Sequence, residues 1–518
     1  MSRSAFSCGQ NLLVGKTRVR DIDGFCGTVE YHGPVASAKN QSEIYAGISW
    51  DDPSRGKHNG TVICRNTKQL VRHFSSSGGS FLKISKVDTG IPLNLSVLQT
   101  KYVEPDAPLL APRNILPHSA RTSSGREKKI ELYGEIELRG QQGVHMLSRI
   151  SLRNTGLSSI DPSFHGLTQV LDLDLGGNLF CDWDILPGIL HAFPNLSCLS
   201  LAANRLGDLR QHPGFVHERL SHLNVCSCGV RSFATIQHLN EAFPSIEQLC
   251  AAGNDLSDLA SIETVYGFRS LSRLDISTCG LTSWNNHVMK LSDLPCLETL
   301  LINYNPIDLI PVWTDNGKFQ ELKNLSMTGI DVADWNDLEG LQSLPCLHSL
   351  SLRDTPLTSS IGTSEARFMI IARFSEITTL NSSVISVKER ADAEKRYVAH
   401  VIQELLRADK VGMDKEAFLS TSHPRFSRLV DELQQDMNRL RNVAGSRNVS
   451  SCTVNVTITS LASESCEKEP IQKRLPISLT IGRLKALCAR AFGLDFDLQV
   501  LHCRSEVRES LRDSIQWV

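Results

Sequence analysis

Residues 196–206 read Leu196-Ser197-Cys198-Leu199-Ser200-Leu201-Ala202-Ala203-Asn204-Arg205-Leu206. Leucine at the first, fourth, sixth and eleventh places and an amide at the ninth give the pattern L-x-x-L-x-L-x-x-N-x-L. The pattern begins again at Leu147, Val170, Leu220, Ile246, Leu271, Leu297, Leu322 and Leu347, so nine copies stand 23 to 26 residues apart. Chance does not produce that regularity. A unit so short cannot bury its own leucines, so the copies must stack. The expected result is a solenoid in which each copy supplies one short strand to a parallel sheet on the concave side and a return segment behind it.

The pattern is that of leucine-rich repeats. Its ninth place holds Asn178, Asn204, Asn254 and Asn305, with Thr155, Cys228, Cys279 and Thr355 in the same slot of other copies. A side chain there is expected to bond neighbouring backbone inside the turn. That makes the two cysteines structural, although Cys226-x-Cys228 has the outline of a metal-ligand pair. A stacked array needs a cap. Residues 368–373 followed by Ile377-Thr378-Thr379-Leu380-Asn381 read as a final degenerate repeat. Residues 387–410 read as a helix, with Tyr397, Val401 and Leu405 at i, i+4 beside Val398, Ile402 and Leu406. A second helix is expected over 425–441, and the charged face of this region reads as a solvated cap.

On either side of the array the pattern changes. Residues 10–90 are rich in glycine and β-branched residues, and Thr17-Arg18-Val19-Arg20 and Gly27-Thr28-Val29-Glu30-Tyr31 alternate as half-buried strands do. Glycines 24, 27, 33 and 47 punctuate them, so a small antiparallel barrel is expected. Residues 91–140 read as a linker, most plainly over 104–126, where Pro, Ser and Gly occur without periodicity. The array with its cap takes 141–385 and a helical connector 386–445. In the tail, 449–518, Val454, Val456 and Ile458 alternate, 473–477 offers a pairing strand, Leu484, Leu487, Cys488 and Ala491 fall on one helix face, and 498–501 reads as a strand. That order suits a ubiquitin-like β-grasp.

Composition narrows the function. Of 518 residues 41% are hydrophobic and 21% charged, ordinary for a globular protein of two to four domains. A formal net charge of −2 supplies no bulk field for nucleic acid or an anionic membrane. No apolar run has the length of a membrane helix, and the first residues lack the apolar core of a signal peptide. Fifteen scattered cysteines, an odd count, fit reduced thiols in the cytoplasm. Enzyme signatures are missing: Gly56-Lys57 is followed by His58 and not Ser or Thr, and there is no His-Glu-x-x-His, Gly-x-Ser-x-Gly or Cys-x-x-Cys. The expectation is a binding protein without catalysis, cofactor or metal.

The chemistry sits in Gly56-Lys57-His58-Asn59-Gly60. Lys57 offers a point charge with three donors, and Asn59 can donate its amide to a carboxylate. Gly56 and Gly60 let the loop turn and let a ligand backbone approach. Tyr45, Trp50 and Phe81 surround the loop in sequence and, if they converge, form an apolar groove beside the cation. The alternative reading of the same spacing buries Trp50 and Phe81 in the core and leaves Lys57 in water.

Residues 14–82 resemble a CAP-Gly domain. The motifs are Val14-Gly15 with Arg18-Val19, Gly27 to Tyr31, Tyr45-Ala46-Gly47-Ile48-Ser49-Trp50-Asp51, Arg55 to Thr61, and Gly79-Ser80-Phe81-Leu82. The resemblance implies recognition of C-terminal Glu-Glu-Tyr/Phe sequences, α-tubulin's among them. Lys57 and Asn59 would then hold the terminal carboxylate, and Tyr45, Trp50 and Phe81 would line the aromatic slot. The loop departs from the usual Gly-Lys-Asn-Asp-Gly. If its first Asn is the contact, the role falls to His58 and Asn59 supplies turn chemistry. Residues 62–77 also lack the usual Gly-x-x-Tyr-Phe and Cys.

The whole chain, multidomain in the order CAP-Gly, leucine-rich repeats, ubiquitin-like tail, resembles the tubulin-folding cofactor E family. Ile370-Ile371-Ala372, Glu389-Arg390 with Ala393-Glu394, and Phe418-Leu419 with His423-Pro424-Arg425-Phe426 support it. Residues 506–518 lack the Gly-Asp turn and final strand of such tails, which leaves the β-grasp one strand short. The resemblance implies a cytoplasmic, cytoskeleton-associated chaperone that binds α-tubulin and assembles or dissociates the αβ heterodimer. Implied partners are the other tubulin-folding cofactors, an Arf-like small GTPase and, through the tail, the proteasome. The competing reading is a CAP-Gly microtubule adaptor without chaperone activity.

Overall fold

The computed structural model describes residues 12–40, 42–102, 119–121, 127–129, 144–315, 317–411, 414–445, 453–462, 468–476, 479–495, 499–503 and 515–517. Most of the expected linker at 104–126 and the start of the expected strand at 498–501 lie outside these residues. The chain divides into two units, one of residues 1–397 with 420–422, the other of residues 398–419 with 423–518.

In the first unit the repeats build one sheet of eleven strands. Each strand is short, from Arg149–Ser151 through Cys198–Ser200 to Ser349–Ser351, and the first ten pair parallel in unbroken register, the eleventh, Ser383–Val384, turning back antiparallel. Ile150, Leu173, Leu199, Leu223, Leu249, Leu274, Leu300, Leu325, Leu350 and Leu380 stand opposite one another across the ladder, all but fully buried. These are the nine copies and the degenerate tenth. Their flanking residues stand on the opposite face of the sheet and are partly exposed.

The ninth-place residues explain the pitch. Asn254 donates to the carbonyls of Val225 and Ala251 and accepts from the N–H groups of Cys228 and Val230. Asn305 does the same two repeats on, bonding Cys279 N, Leu281 N, Ile276 O and Ile302 O. Where cysteine takes the slot, the thiol donates across the repeat boundary: Cys228 to Leu201 O and Cys279 to Ala251 O. Burial pushes both thiols up to about 12, and each serves the array as a hydrogen-bond donor. Among the described residues no group of three His, Cys, Asp or Glu could hold a metal ion.

The array ends at the helix Thr363–Arg373 and the strand pair Thr379–Leu380 with Ser383–Val384. Glu389-Arg390, singled out in the sequence, belongs to this cap. Arg367 forks onto Glu389, and Arg390 donates to the carbonyls of Ile371, Phe374 and Ile377, the unpaired ends of that last helix and turn. A long helix follows over Val387–Val411, with Tyr397 and Val401 buried as the i, i+4 spacing requires.

The amino-terminal part of this unit is a four-stranded antiparallel sheet, β1 (Arg18–Arg20), β2 (Cys26–Pro34), β3 (Ile44–Trp50) and β6 (Gly79–Lys83), with a separate hairpin of β4 (Thr61–Ile63) and β5 (Leu70–Arg72). The expected barrel is therefore a sheet plus a hairpin. Val19, Val29, Ala46, Ile48 and Trp50 alternate inward and form its core with Leu12 and Val87. The start of the expected linker is not loose: β7 (Ile91–Leu93) pairs parallel with Leu157–Ile160 of the first repeat, and α1 (Leu95–Tyr102) follows it. Tertiary pairing overrides the weak local signal here.

The second unit holds Lys415–Ser422 in part and Phe426–Gly445, so the connector has three helices where two were expected. His423 interrupts them because Pro424 blocks the helix. The tail pairs Thr453–Ile458 antiparallel with Ile471–Pro476, continues in the helix Ile481–Phe492, and then pairs Leu501–Cys503 with Ile515–Trp517. Residues 515–517 thus form a strand in the stretch 506–518, where the sequence reading expected none. Among the described residues the two strand pairs are not joined into one sheet.

Candidate tail-binding groove

The loop at 56–60 is held by backbone. His58 exchanges both hydrogen bonds with Gly79, at 2.9 and 2.7 Å, and Gly60 O accepts the N–H of His73. Gly60 has φ +85°, and a Cβ there would fall 2.1 Å from the carbonyl oxygen of Phe74; one on Gly56 would fall 2.2 Å from the backbone of Gly78. Both glycines are steric requirements of the loop. Lys57, His58 and Asn59 are all exposed on it.

Asn59 and His58 part company. The side-chain oxygen of Asn59 accepts the N–H of Thr61 at 3.0 Å, an Asx turn that ties the residue to its own loop. The His58 ring lies 5.9 Å, edge-on, from the ring of Phe81. The structure therefore brings His58 and Phe81 together, with Lys57 exposed on the same loop and Asn59 shaping its turn.

Phe81 sits in an aromatic cluster. Phe74 is 5.1 Å away, His73 5.6 Å and Tyr31 6.4 Å, ring centre to ring centre. Gly47, opposite Phe81 in the sheet, gives them room, since a Cβ there would strike the Phe74 ring at 2.6 Å. Tyr31, His73 and Phe74 were not picked out as site residues from sequence. The aromatic pair His73-Phe74 a few residues before Gly79-Ser80-Phe81 was the signal: it stands in for the missing Tyr-Phe.

Trp50 is elsewhere. It is 5% exposed, packs in the core, and donates its indole N–H to Ser80 at 2.9 Å. Arg55 covers it at 5.3 Å while bonding the buried carboxylate of Asp21. Trp50 braces β6 under the groove and does not line it, because strand alternation puts it on the face opposite Gly47 and Phe81. Tyr45 lies on the groove side of β3 but farther out, where its hydroxyl donates to Glu43 at 2.8 Å. The hydrogen bond from Lys83, with that from Tyr45, holds the Glu43 carboxyl below its ordinary value.

The electrostatics are simple. Lys57 has no ion-pair partner among the described residues and is exposed on the loop next to His58. His73 accepts the Ala36 N–H on its Nε2 at 3.2 Å, and burial pushes its pKa down, so its ring is kept neutral. A cation next to a hydrophobic slot with open backbone around it can take a carboxylate carried by an apolar or aromatic terminal residue.

A model of the CAP-Gly domain family matches residues 14–87, the stretch that builds this groove. Three curated relatives align with nearly the whole chain. Tubulin-folding cofactor E of Arabidopsis thaliana is 28% identical over 95% of this chain and 91% of its own. Tubulin-specific chaperone E of Danio rerio is 29% identical over 91% and 89%, and that of Drosophila melanogaster 25% over 94% and 90%.

Proposed function

We propose, from the resemblance to tubulin-specific chaperone E along nearly all of its length, that this chain is a tubulin-folding chaperone that binds α-tubulin by its acidic C-terminal tail. The observation that carries the reading is a CAP-Gly groove on the same chain as a repeat array of eleven strands, aligned end to end with proteins named for tubulin folding. Lys57 and His58 take the terminal carboxylate, and Phe81, with Phe74 and Tyr31, takes the last aromatic ring. Asn59, Gly56 and Gly60 keep the loop in shape, Trp50 braces it from below, and Tyr45 closes the outer end. The concave face of the array grips the folded body of the same subunit.

Two modest contacts on one ligand multiply through effective concentration. Dissociation of the heterodimer requires only that the chaperone bind free α-tubulin better than paired α-tubulin. No catalytic step is involved. The other tubulin-folding cofactors and an Arf-like small GTPase are its proposed partners in the cytoplasm and at the cytoskeleton. The order strand, strand, helix, strand, strand in the tail supports a ubiquitin-like fold, and through it a contact with the proteasome.

Gel filtration of native tubulin mixed with excess protein tests this. The expected result is loss of the heterodimer peak and a new complex containing α-tubulin. An unchanged heterodimer with no new complex would reject the reading that the chain acts on tubulin alone.

A further inference from the structure

The residues between the groove and the array do not form a loose tether. The chain leaving the CAP-Gly domain becomes part of the first repeat. Ile91 stands opposite Leu157 and Leu93 opposite Ile160, Ile91 N donates to Gly156 O at 2.9 Å, and Asp161 N donates to Leu93 O at 3.0 Å. Tyr102 then closes the open edge of the sheet. Its hydroxyl accepts the N–H of Ser151 at 2.9 Å and donates to Ser151 O at 3.1 Å.

Two more contacts reach the second and third repeats. Lys16 lies 3.9 Å from Asp182, and Arg205 lies 3.3 Å from Asp51. Asp51 is itself forked onto the buried Arg18, at the end of β3 and just before the loop that carries Lys57. Each exposed ion pair is weak alone. Together with a strand pair they fix the CAP-Gly domain at three separated points along the array, which leaves it little freedom to rotate.

We infer that the groove and the repeat array it is docked on act as one recognition surface, fitted to a folded protein that carries an acidic, aromatic-ended tail close to its body. The inference rests on the proposed tubulin reading. It adds that geometry, and not a flexible tether, sets the effective concentration of the second contact. A free tail peptide occupies only the groove and gains nothing from the docking. A whole subunit gains all of it.

Two measurements on the full chain test this. Carbodiimide coupling should join Lys16 to Asp182, identified by mass spectrometry; absence of that cross-link overturns the docking. The double variant D182K/R205E places like charges at both contacts without touching the groove. It should bind an α-tubulin tail peptide as the wild type does, and whole tubulin at least about tenfold more weakly. Wild-type affinity for tubulin in the variant, or an equal loss for the peptide, overturns the composite surface. Failure of the wild type to bind either ligand would instead reject the tubulin reading and leave the cross-link result standing.

Discussion

The side-chain oxygen of Asn59 accepts the backbone N–H of Thr61 at 3.0 Å, which spends the residue on its own turn and leaves His58 facing the ring of Phe81. The two neighbours should therefore respond differently to alanine. His58→Ala should weaken an α-tubulin tail peptide about tenfold with little change in unfolding. Asn59→Ala should cost about 1 kcal/mol of stability, the worth of one such hydrogen bond. Calorimetric titration and urea unfolding of the two variants separate the effects; the reverse pattern would move the carboxylate contact to Asn59.

Gly60 is the position in the loop least able to change. Alanine there meets both a left-handed backbone and the Phe74 carbonyl, so it should cost about 2 kcal/mol or more and displace the Phe74 ring from Phe81. Unfolding curves and the shift of the Phe74 ring resonances measure it.

The groove should lose stability in acid through His73. Its folded pKa lies below that of a free imidazole because burial disfavours the charged ring. Between the folded value and the unfolded value of about 6.5, the unfolded chain binds more protons. The contribution is whole above about pH 6.5 and is lost as pH falls through the folded value. Urea midpoints at pH 7.5 and 5.5 should fall less in His73→Gln than in the wild type.

Two asparagines in the same slot should not be equal. Asn254→Ala strands the Val225 carbonyl and two N–H groups, Ala251 O keeping the Cys279 thiol, whereas Asn204 donates only to Leu175 O and to Leu201 O, which keeps the Cys228 thiol, and its own oxygen has no hydrogen-bond partner. Each stranded buried group costs about 1–3 kcal/mol. Asn254→Ala should thus destabilise the array clearly more than Asn204→Ala, as read from the denaturant midpoints of both.

The array was legible because its signal is periodic. Ten central apolar residues recur at near-constant spacing, and stacking is the one way to bury them. The cysteines at 228 and 279 could be read as structural for the same reason, since position in the repeat outweighs residue type. What escaped the sequence depended on long-range pairing. Ile91–Leu93 carries no local mark of a strand that joins residues 157–160, and the Tyr102 hydroxyl gives no hint that it plugs a sheet edge. In the groove, glycine positions and Phe81 were readable from the motif. Trp50 went to the core by strand alternation, which its place beside the loop in sequence conceals. His73 and Phe74 reached Phe81 through a hairpin whose pairing only the fold displays.

The central claim is that the chain holds α-tubulin by its last residues and its body together. The most direct test is the affinity of the full chain for tubulin and for tubulin from which the terminal residue of the α-chain has been removed. The account predicts a loss of at least about tenfold on removal, larger at low salt, with residual binding through the array. Equal affinity for the two tubulins would contradict it.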